Sequence, residues 1–348
     1  MGFLFVDDRN VLYIHSMHNI LDYIEHRKNL KDIPDEMLDE VMPILAQQLS
    51  KVDYRIQHTD GVLKKDWSGL VKYTPTSTHT ASQVRHGIKL VEHFYPNFYM
   101  IESNGKSFHS SWNPEVLEKV LRWCRTGMSK LWLSWARRAV YFSAGLPSST
   151  MYRPHIAKTA CLVSNKPFGT LLDPCIGWGG RMLGTVSAGW DYIGFDTNPE
   201  TFQNTQRLVE FLGIQSKVKL FLDDSINMDK YDFQSADIAL TSPPYYDVEI
   251  YSEFDNRQYS QYPTYRDWVT GWLSPLIGKS LDRLNEDGMS CWNVQNMPSK
   301  KMMMVDDVES VHNSRGWNLV DTLGITSPVR NLRLANKKIP DSTFIFRK

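Results

Sequence analysis

Leu171-Leu172-Asp173-Pro174-Cys175-Ile176-Gly177-Trp178-Gly179-Gly180 is the stretch on which the fold turns. An apolar run ends in an acid, and a glycine-rich turn leads from it into a helical sequence. In an open α/β sheet, ligands bind at the carboxyl ends of strands, where glycines let a ligand approach the backbone. Further on, Ile193-Gly194-Phe195-Asp196 is a second apolar run ending in an acid. It stands at roughly the 20-residue spacing at which a carboxylate can accept hydrogen bonds from ribose hydroxyls. The pair predicts a nucleotide-like cofactor. NAD fits poorly, because the pattern is Gly-x-Gly-Gly rather than Gly-x-Gly-x-x-Gly and Asp173 would repel a pyrophosphate.

Outward from this stretch, short apolar runs alternate with helical sequence, the rhythm of βαβ units. Strands are predicted at 169–172, 192–196, 218–222, 238–241, 290–294, 319–325 and 343–347, with helices at 180–188, 199–211, 265–284 and 305–313. The last two strands are close enough to pair antiparallel. Together they make a doubly wound α/β sheet filling a catalytic domain over 151–348. Residues 1–150 are expected to form an N-terminal, mixed but largely helical accessory domain. There, Met37, Val41, Ile44 and Leu45 recur at helical spacing within 34–50, and a further helix is expected at 82–94. Asn104-Gly105 is a two-residue hairpin signal. Asn113-Pro114-Glu115 opens a helix ending near Gly127, and another starts at Ser129 and carries Trp132, Trp135, Arg137 and Arg138. Gly2 to Val6 reads as a buried strand, because Asp7 and Asp8 follow at once and end the apolar run.

The composition, with 42% hydrophobic and 22% charged residues, is that of a globular protein. No apolar run reaches the roughly 18 residues that would span a bilayer, so no membrane partner is expected. The four cysteines (Cys124, Cys161, Cys175 and Cys291) show no CxxC or Cys/His spacing. Neither a disulfide framework nor a metal site is therefore indicated, and reduced thiols in the cytoplasm are the default. The formal net charge is zero, yet the charges are unevenly spread. Residues 1–60 hold 6 Lys/Arg against 11 Asp/Glu, residues 61–160 hold 14 against 5, and residues 161–348 hold 19 against 23. The basic middle segment suits a surface facing phosphate.

The run DPxxGxGG followed by the strand GFDTNP resembles the cofactor-binding half of Rossmann-like methyltransferases, the DNA amino-methyltransferases above all. The resemblance implies a Rossmann-like seven-stranded methyltransferase sheet and S-adenosylmethionine as cofactor. By the same token, Asp173 and Pro174 would lie near the methionine amino group, Gly177 and Gly179 would give access to the backbone, and Asp196 would hold the ribose. Asp223 or Asp224, after the third strand, would meet the adenine amino group; spacing leaves the choice open.

Asp237-Ile238-Ala239-Leu240-Thr241-Ser242-Pro243-Pro244-Tyr245 is a second informative stretch. Two prolines fix φ and remove backbone donors, leaving carbonyl oxygens around Ser242 and Pro243 in a rigid turn. Such acceptors suit an exocyclic amine, whose conjugated lone pair becomes nucleophilic when its protons are held in a pyramidal geometry. Tyr245 offers a face on which a flipped base can stack, worth about 1–3 kcal/mol. Ser242, Pro243, Pro244 and Tyr245 resemble the catalytic motif of amino-methyltransferases in its Ser-Pro-Pro-Tyr form, similar to the cytosine-N4 subgroup. The implied function is methylation of double-stranded DNA at cytosine N4 on a flipped base, with adenine N6 as the alternative. Further readings are an RNA or protein amide methyltransferase and a non-catalytic nucleic-acid-binding subunit. Pro174-Cys175 also matches the Pro-Cys pair of cytosine-C5 enzymes, but it sits in the cofactor turn, so Cys175 reads as a small buried residue. No room remains after the motif for a recognition domain. Target contacts are therefore expected from the basic segment, with Arg137 and Arg138 touching the nucleic-acid backbone, and from the tyrosine-rich loop 246–265.

Overall fold

The computed structural model describes residues 19–25, 27–76, 80–81, 84–127, 130–146, 151–248, 250, 261–325 and 342–348. The strand expected at Gly2 to Val6 and most of the loop 246–265 lie outside them. Among the described residues, the longer helices before residue 150 are α1 (Leu38–Leu49), α2 (Asp60–Lys72), α3 (Ile88–Phe94), α4 (Pro114–Gly127) and α5 (Leu133–Ala144). The chain divides into two compact units. One comprises the described residues of Met1–Arg55 and Tyr99–Ser149, the other those of Ile56–Phe98 and Thr150–Lys348.

In the first unit, α1 and α5 pack on α4, whose Leu117, Val120, Leu121 and Cys124 are buried on one stripe. Asn113 starts α4 as expected, its side chain accepting from the Val116 amide at 3.1 Å. The hairpin also stands where Asn104-Gly105 placed it, pairing Glu102–Ser103 with Lys106–Ser107; Asn104 takes φ +53° and Gly105 φ +73°.

The second unit carries the main sheet. After α6 (Pro154–Val163) come β1 (Thr170–Asp173), α7 (Gly180–Ser187), β2 (Asp191–Asp196), α8 (Pro199–Leu212), β3 (Val218–Leu222) and β4 (Ala236–Thr241). Then follow α9 (265–282), β5 (Leu284–Asn293), α10 (Met304–Ser314), β6 (Asn318–Ile325) and β7 (Thr343–Arg347). Their order across the sheet is 3-2-1-4-5-7-6, and Thr80–Ala81 adds a short parallel edge beside β6. Strands β1 to β5 run parallel, while β7 runs antiparallel to both neighbours. This is the Rossmann-like seven-stranded sheet that the resemblance implies.

Central β1 is buried at every position, as a strand covered on both faces must be. Its period-two alternation splits the core. Leu171, Tyr192, Ile238, Cys291 and Ile345 face one apolar cluster, while Leu172, Ile193, Trp292 and Phe346 face the other. Helices α2 and α3 supply Leu63, Leu70, Leu90 and Val91 to the first cluster, each side chain worth about 1.5–3 kcal/mol on burial.

Residues 56–98 therefore belong to the sheet unit, although a boundary at residue 150 was expected. Side chains hold them there. Lys158 on α6 donates to the Leu70 and Val71 carbonyls at 2.9 and 2.8 Å, capping the end of α2. The Tyr95 and Thr205 hydroxyls meet at 2.9 Å, and Asn97 hydrogen-bonds Thr201 and Asn204.

Candidate active site

The turn after β1 is braced from within. Asp173, expected beside the methionine amino group, is wholly buried. Its Oδ2 accepts from Arg181 Nε at 2.8 Å and from the Tyr192 hydroxyl at 2.7 Å, and its Oδ1 from the Cys175 amide at 3.2 Å. Burial pushes its carboxyl above the usual carboxylate range, against the pull of the Arg181 guanidinium. Arg181 also donates to the Cys175 and Ile176 carbonyls, tying the turn to the start of α7. A strand-end acid with an arginine in the first turn of the next helix finds its partner inside the turn, so Asp173 shapes the turn from below. The signal in the sequence was Arg181 itself, in the first turn of the helix.

Above this brace, the Ile176 amide donates to the Phe195 carbonyl at 2.9 Å and the Gly177 amide to Asp196 Oδ2 at 3.0 Å. The half-buried Asp196 also accepts from the Asn198 amide, and Asn198 caps α8. The two acids at the ends of β1 and β2 thus hold the glycine turn from opposite sides. Gly177 takes φ +57°, and a Cβ there would meet nothing nearer than 3.7 Å, so its backbone is open to a ligand. Gly179 is required for a different reason: at φ +67° its missing Cβ would overlap the Tyr95 hydroxyl. Tyr95 and Phe98 also stand edge-on to the Trp178 ring, with centroids 6.2 and 5.5 Å away. Nothing local in the sequence pointed to this wall, because it arrives from 80 residues upstream.

Beyond β3, Asp223 accepts from Asn227 Nδ2 at 3.0 Å and from the Tyr231 hydroxyl at 2.9 Å. Burial raises its pKa, but these hydrogen bonds outweigh it and hold the carboxyl below its ordinary range. Asp224 caps the short helix Ser225–Lys230 and accepts from Trp272 Nε1 at 3.1 Å. Both acids are therefore fixed in place at the carboxyl edge.

The motif loop leaves β4 beside the glycine turn. Strands β1 and β4 are adjacent and parallel, so the two turns leave the sheet side by side, and the Thr241 hydroxyl at the end of β4 is buried with no hydrogen-bond partner among the described residues. Pro243 is buried, whereas Ser242, Pro244 and Tyr245 are half-buried. The Val248 amide closes the loop on the Tyr245 carbonyl at 3.0 Å. Tyr246 adopts φ +49°, rare for a bulky residue, and its hydroxyl donates to the Tyr262 carbonyl at 2.9 Å. Its ring meets Tyr265 and Trp268 at 6.1 and 6.0 Å, on a ladder in which Trp268 stacks on Trp272 at 5.3 Å. The ladder runs along α9, where Val269–Leu273 forms a π turn, a feature common at functional sites. Burial pushes the Cys175 thiol well above its normal pKa, so it is no thiolate nucleophile at neutral pH.

Arg137 and Arg138 lie in the other unit, on α5. Arg137 is half-buried and donates to the Tyr54 carbonyl at 3.2 Å, whereas Arg138 is exposed over the Trp135 ring, 5.6 Å from its centroid. Among the described residues, no cluster of His, Cys, Asp or Glu could hold a metal ion, and no helix is long and apolar enough to cross a membrane.

The chain matches no family model and no curated protein. Among solved structures it is similar to an rRNA methylase from Streptococcus thermophilus, with 17% identity, 57% of this chain and 99% of that chain covered, and a TM-score of 0.36. It is also similar to TrmN from Thermus thermophilus, with 14% identity, 56% and 48% covered, and a TM-score of 0.39. A third is SMU.1697c from Streptococcus mutans in complex with SAH, with 17% identity, 57% and 98% covered, and a TM-score of 0.37. All three TM-scores lie below 0.5, so the functional reading rests on this chain's own residues.

Proposed function

We propose that the sheet unit is an S-adenosylmethionine-dependent methyltransferase acting on an exocyclic amine of a nucleic-acid base, cytosine N4 in DNA foremost. The observation that carries the reading is the meeting of two loops on one sheet edge. The open glycine turn, locked to Asp196 through Gly177, and the Ser-Pro-Pro-Tyr loop leave the carboxyl ends of adjacent parallel strands.

The residues fit the cofactor. Gly177 offers unshielded backbone, Asp196 stands where ribose hydroxyls would donate, and Asp223 or Asp224 would receive the adenine amino group. When bound, S-adenosylmethionine supplies a methyl group on a positively charged sulfur, activated for direct displacement. Ser242 and the Pro243 carbonyl then hold the amine protons so that its lone pair turns out of the ring plane, with Tyr245 stacked on the base. The proton that the nitrogen sheds passes to solvent, because a neutral serine hydroxyl is too weak a base to keep it. No thiol is required, in keeping with the high pKa of Cys175. Arg138, exposed on α5 where Arg137 is turned in to the Tyr54 carbonyl, would serve the nucleic-acid backbone, with the phosphate-dominated salt dependence such a contact brings.

Transfer of labelled methyl groups to DNA by the purified chain tests the reading. Ser242→Ala should lower turnover by about 10- to 1000-fold with little change in cofactor affinity, as loss of a polar group acting in the transition state does. Cys175→Ser should stay active. Activity that survives Ser242→Ala but is abolished by Cys175→Ser in a folded protein would overturn the mechanism.

A further inference from the structure

From residue 119 to residue 172 the chain holds nine Lys and Arg and not one Asp or Glu. Within the first unit, most of these cations have partners. Lys119, Arg122 and Arg125 pair with Glu115, Glu118, Asp39 and Asp35, and Arg137 turns in to the Tyr54 carbonyl. Arg138 and Lys130 are exposed and make no ion pair among the described residues.

Arg138 belongs to a narrow stripe on α5. At about 100° per residue, Trp135, Arg138 and Phe142 fall within an arc of roughly 60°, with the buried Ala139 along one border and the buried Ala136 and Val140 on the far side. Trp135 is 41% exposed and Phe142 72%, while Trp132, at the N-cap of the helix, is 50% exposed. Soluble proteins seldom leave such a run of large aromatics in water without a use for it. The arginine lies over the Trp135 face, so the stripe alternates π surface and positive charge, and α5 contains no acid. A protein partner would bring carboxylates or apolar side chains of one particular shape. Planar bases on a phosphate backbone match both halves of this surface at once, since every base has a face to stack and every phosphate a charge.

We infer that the exposed face of α5 is a stacking site for unpaired bases of a single nucleic-acid strand, with Trp135 and Phe142 as platforms and Arg138 meeting the backbone. This separates the two neighbouring arginines: Arg138 touches the strand, and Arg137 holds α5 to the loop at Tyr54. The site shares with the proposed function only the class of partner, and its test needs neither cofactor nor turnover. A failure here would therefore leave methyl transfer to be judged separately.

Fluorescence anisotropy with a labelled oligothymidylate of about 20 nucleotides, beside a mixed-sequence duplex of the same length, tests it in the full chain. Trp135→Ala and Phe142→Ala should each weaken single-strand binding about 5- to 150-fold, the loss of one stacked base, and Trp135→Phe should restore most of it. Duplex affinity should change by less than about twofold, because paired bases offer no free face. Arg138→Ala should lower the slope of log affinity against log salt by about 1. Unchanged single-strand binding in both alanine variants, or equal losses on duplex and single strand, would overturn the assignment. Loss of self-association in those variants with oligonucleotide binding intact would overturn it too, marking the face as a contact between copies of the chain.

Discussion

Two residues decide whether the site works as described. Asp196 joins the ends of β1 and β2 by accepting from Gly177, and in the proposed function it is the carboxylate that would hold the cofactor ribose. Asp196→Ala should weaken S-adenosylmethionine binding about 10- to 100-fold, the loss of charged hydrogen bonds worth about 1.5–3 kcal/mol. Calorimetry reads this directly, and an unchanged dissociation constant removes Asp196 from the site. Tyr246 is a positioning residue. A tyrosine held at φ +49° costs on the order of 1–3 kcal/mol, and it persists because the Tyr262 carbonyl, Tyr265 and Trp268 all hold its side chain. It fixes the turn that carries Tyr245. Tyr246→Gly should relieve the strain but give up the ring and hydroxyl contacts that outweigh it, so the fold should lose on the order of 1–3 kcal/mol while kcat falls about tenfold or more with a smaller change in KM for the cofactor. Equal kcat in the glycine variant would show that the strained turn has no part in turnover.

At the scale of elements, α10 is bound to the sheet through one neutral histidine. His312 Nδ1 donates to the Val308 carbonyl at 2.8 Å, and its Nε2 accepts from Ser290 Oγ at 2.9 Å. Its ring stacks on Phe346 at 3.9 Å. Burial lowers its pKa from 6.5 to about 4. The folded state therefore takes up this proton less readily than the unfolded chain. The stability that results is fully present above about pH 6.5 and is lost as pH falls from there towards 4, at up to about 1.4 kcal/mol per pH unit. Urea unfolding at pH 7 and pH 5 should show the loss, and a His312→Gln variant should lack this part of it. Parallel curves for the two proteins would mean that His312 takes its proton without cost to the fold.

The elements also show what could be read along the chain. Strands β1 to β4, α7, α8 and the Asn104-Gly105 hairpin follow from local rules: period-two apolar runs, glycine at positive φ, and Asn-Pro helix starts. The glycine turn, Asp196 and the Ser-Pro-Pro-Tyr loop emerge on one edge because parallel strands must place them there. Other features depend on distant partners. Helix α2 carries Gly61, Lys64, Lys65 and Gly69 among few apolar residues, and it is secured by Lys158, 88 residues on from Leu70. The strand expected at 290–294 begins instead at Leu284, since Asn285-Glu286-Asp287-Gly288 looks like a turn until β4 and Arg347 are beside it. The same holds for Asp173, whose buried partners Arg181 and Tyr192 come together only once α7 and β2 have packed.

For the whole molecule, the central claim is a chemical one: the sheet unit moves a methyl group onto a base amine without a covalent enzyme intermediate. Two strand ends and one helix face place its parts. Asp173 and Arg181 shape the turn, Asp196 and Gly177 present it, and in the proposed reaction Ser242 to Tyr245 would receive the base. Mass spectrometry of nucleosides from DNA and RNA incubated with the purified chain and S-adenosylmethionine tests it most directly. The account predicts N4-methylcytosine in DNA, lost in Ser242→Ala. N6-methyladenine in its place would change the base and keep the chemistry, whereas a product methylated at cytosine C5, or no methylated nucleoside in either nucleic acid, would contradict the account.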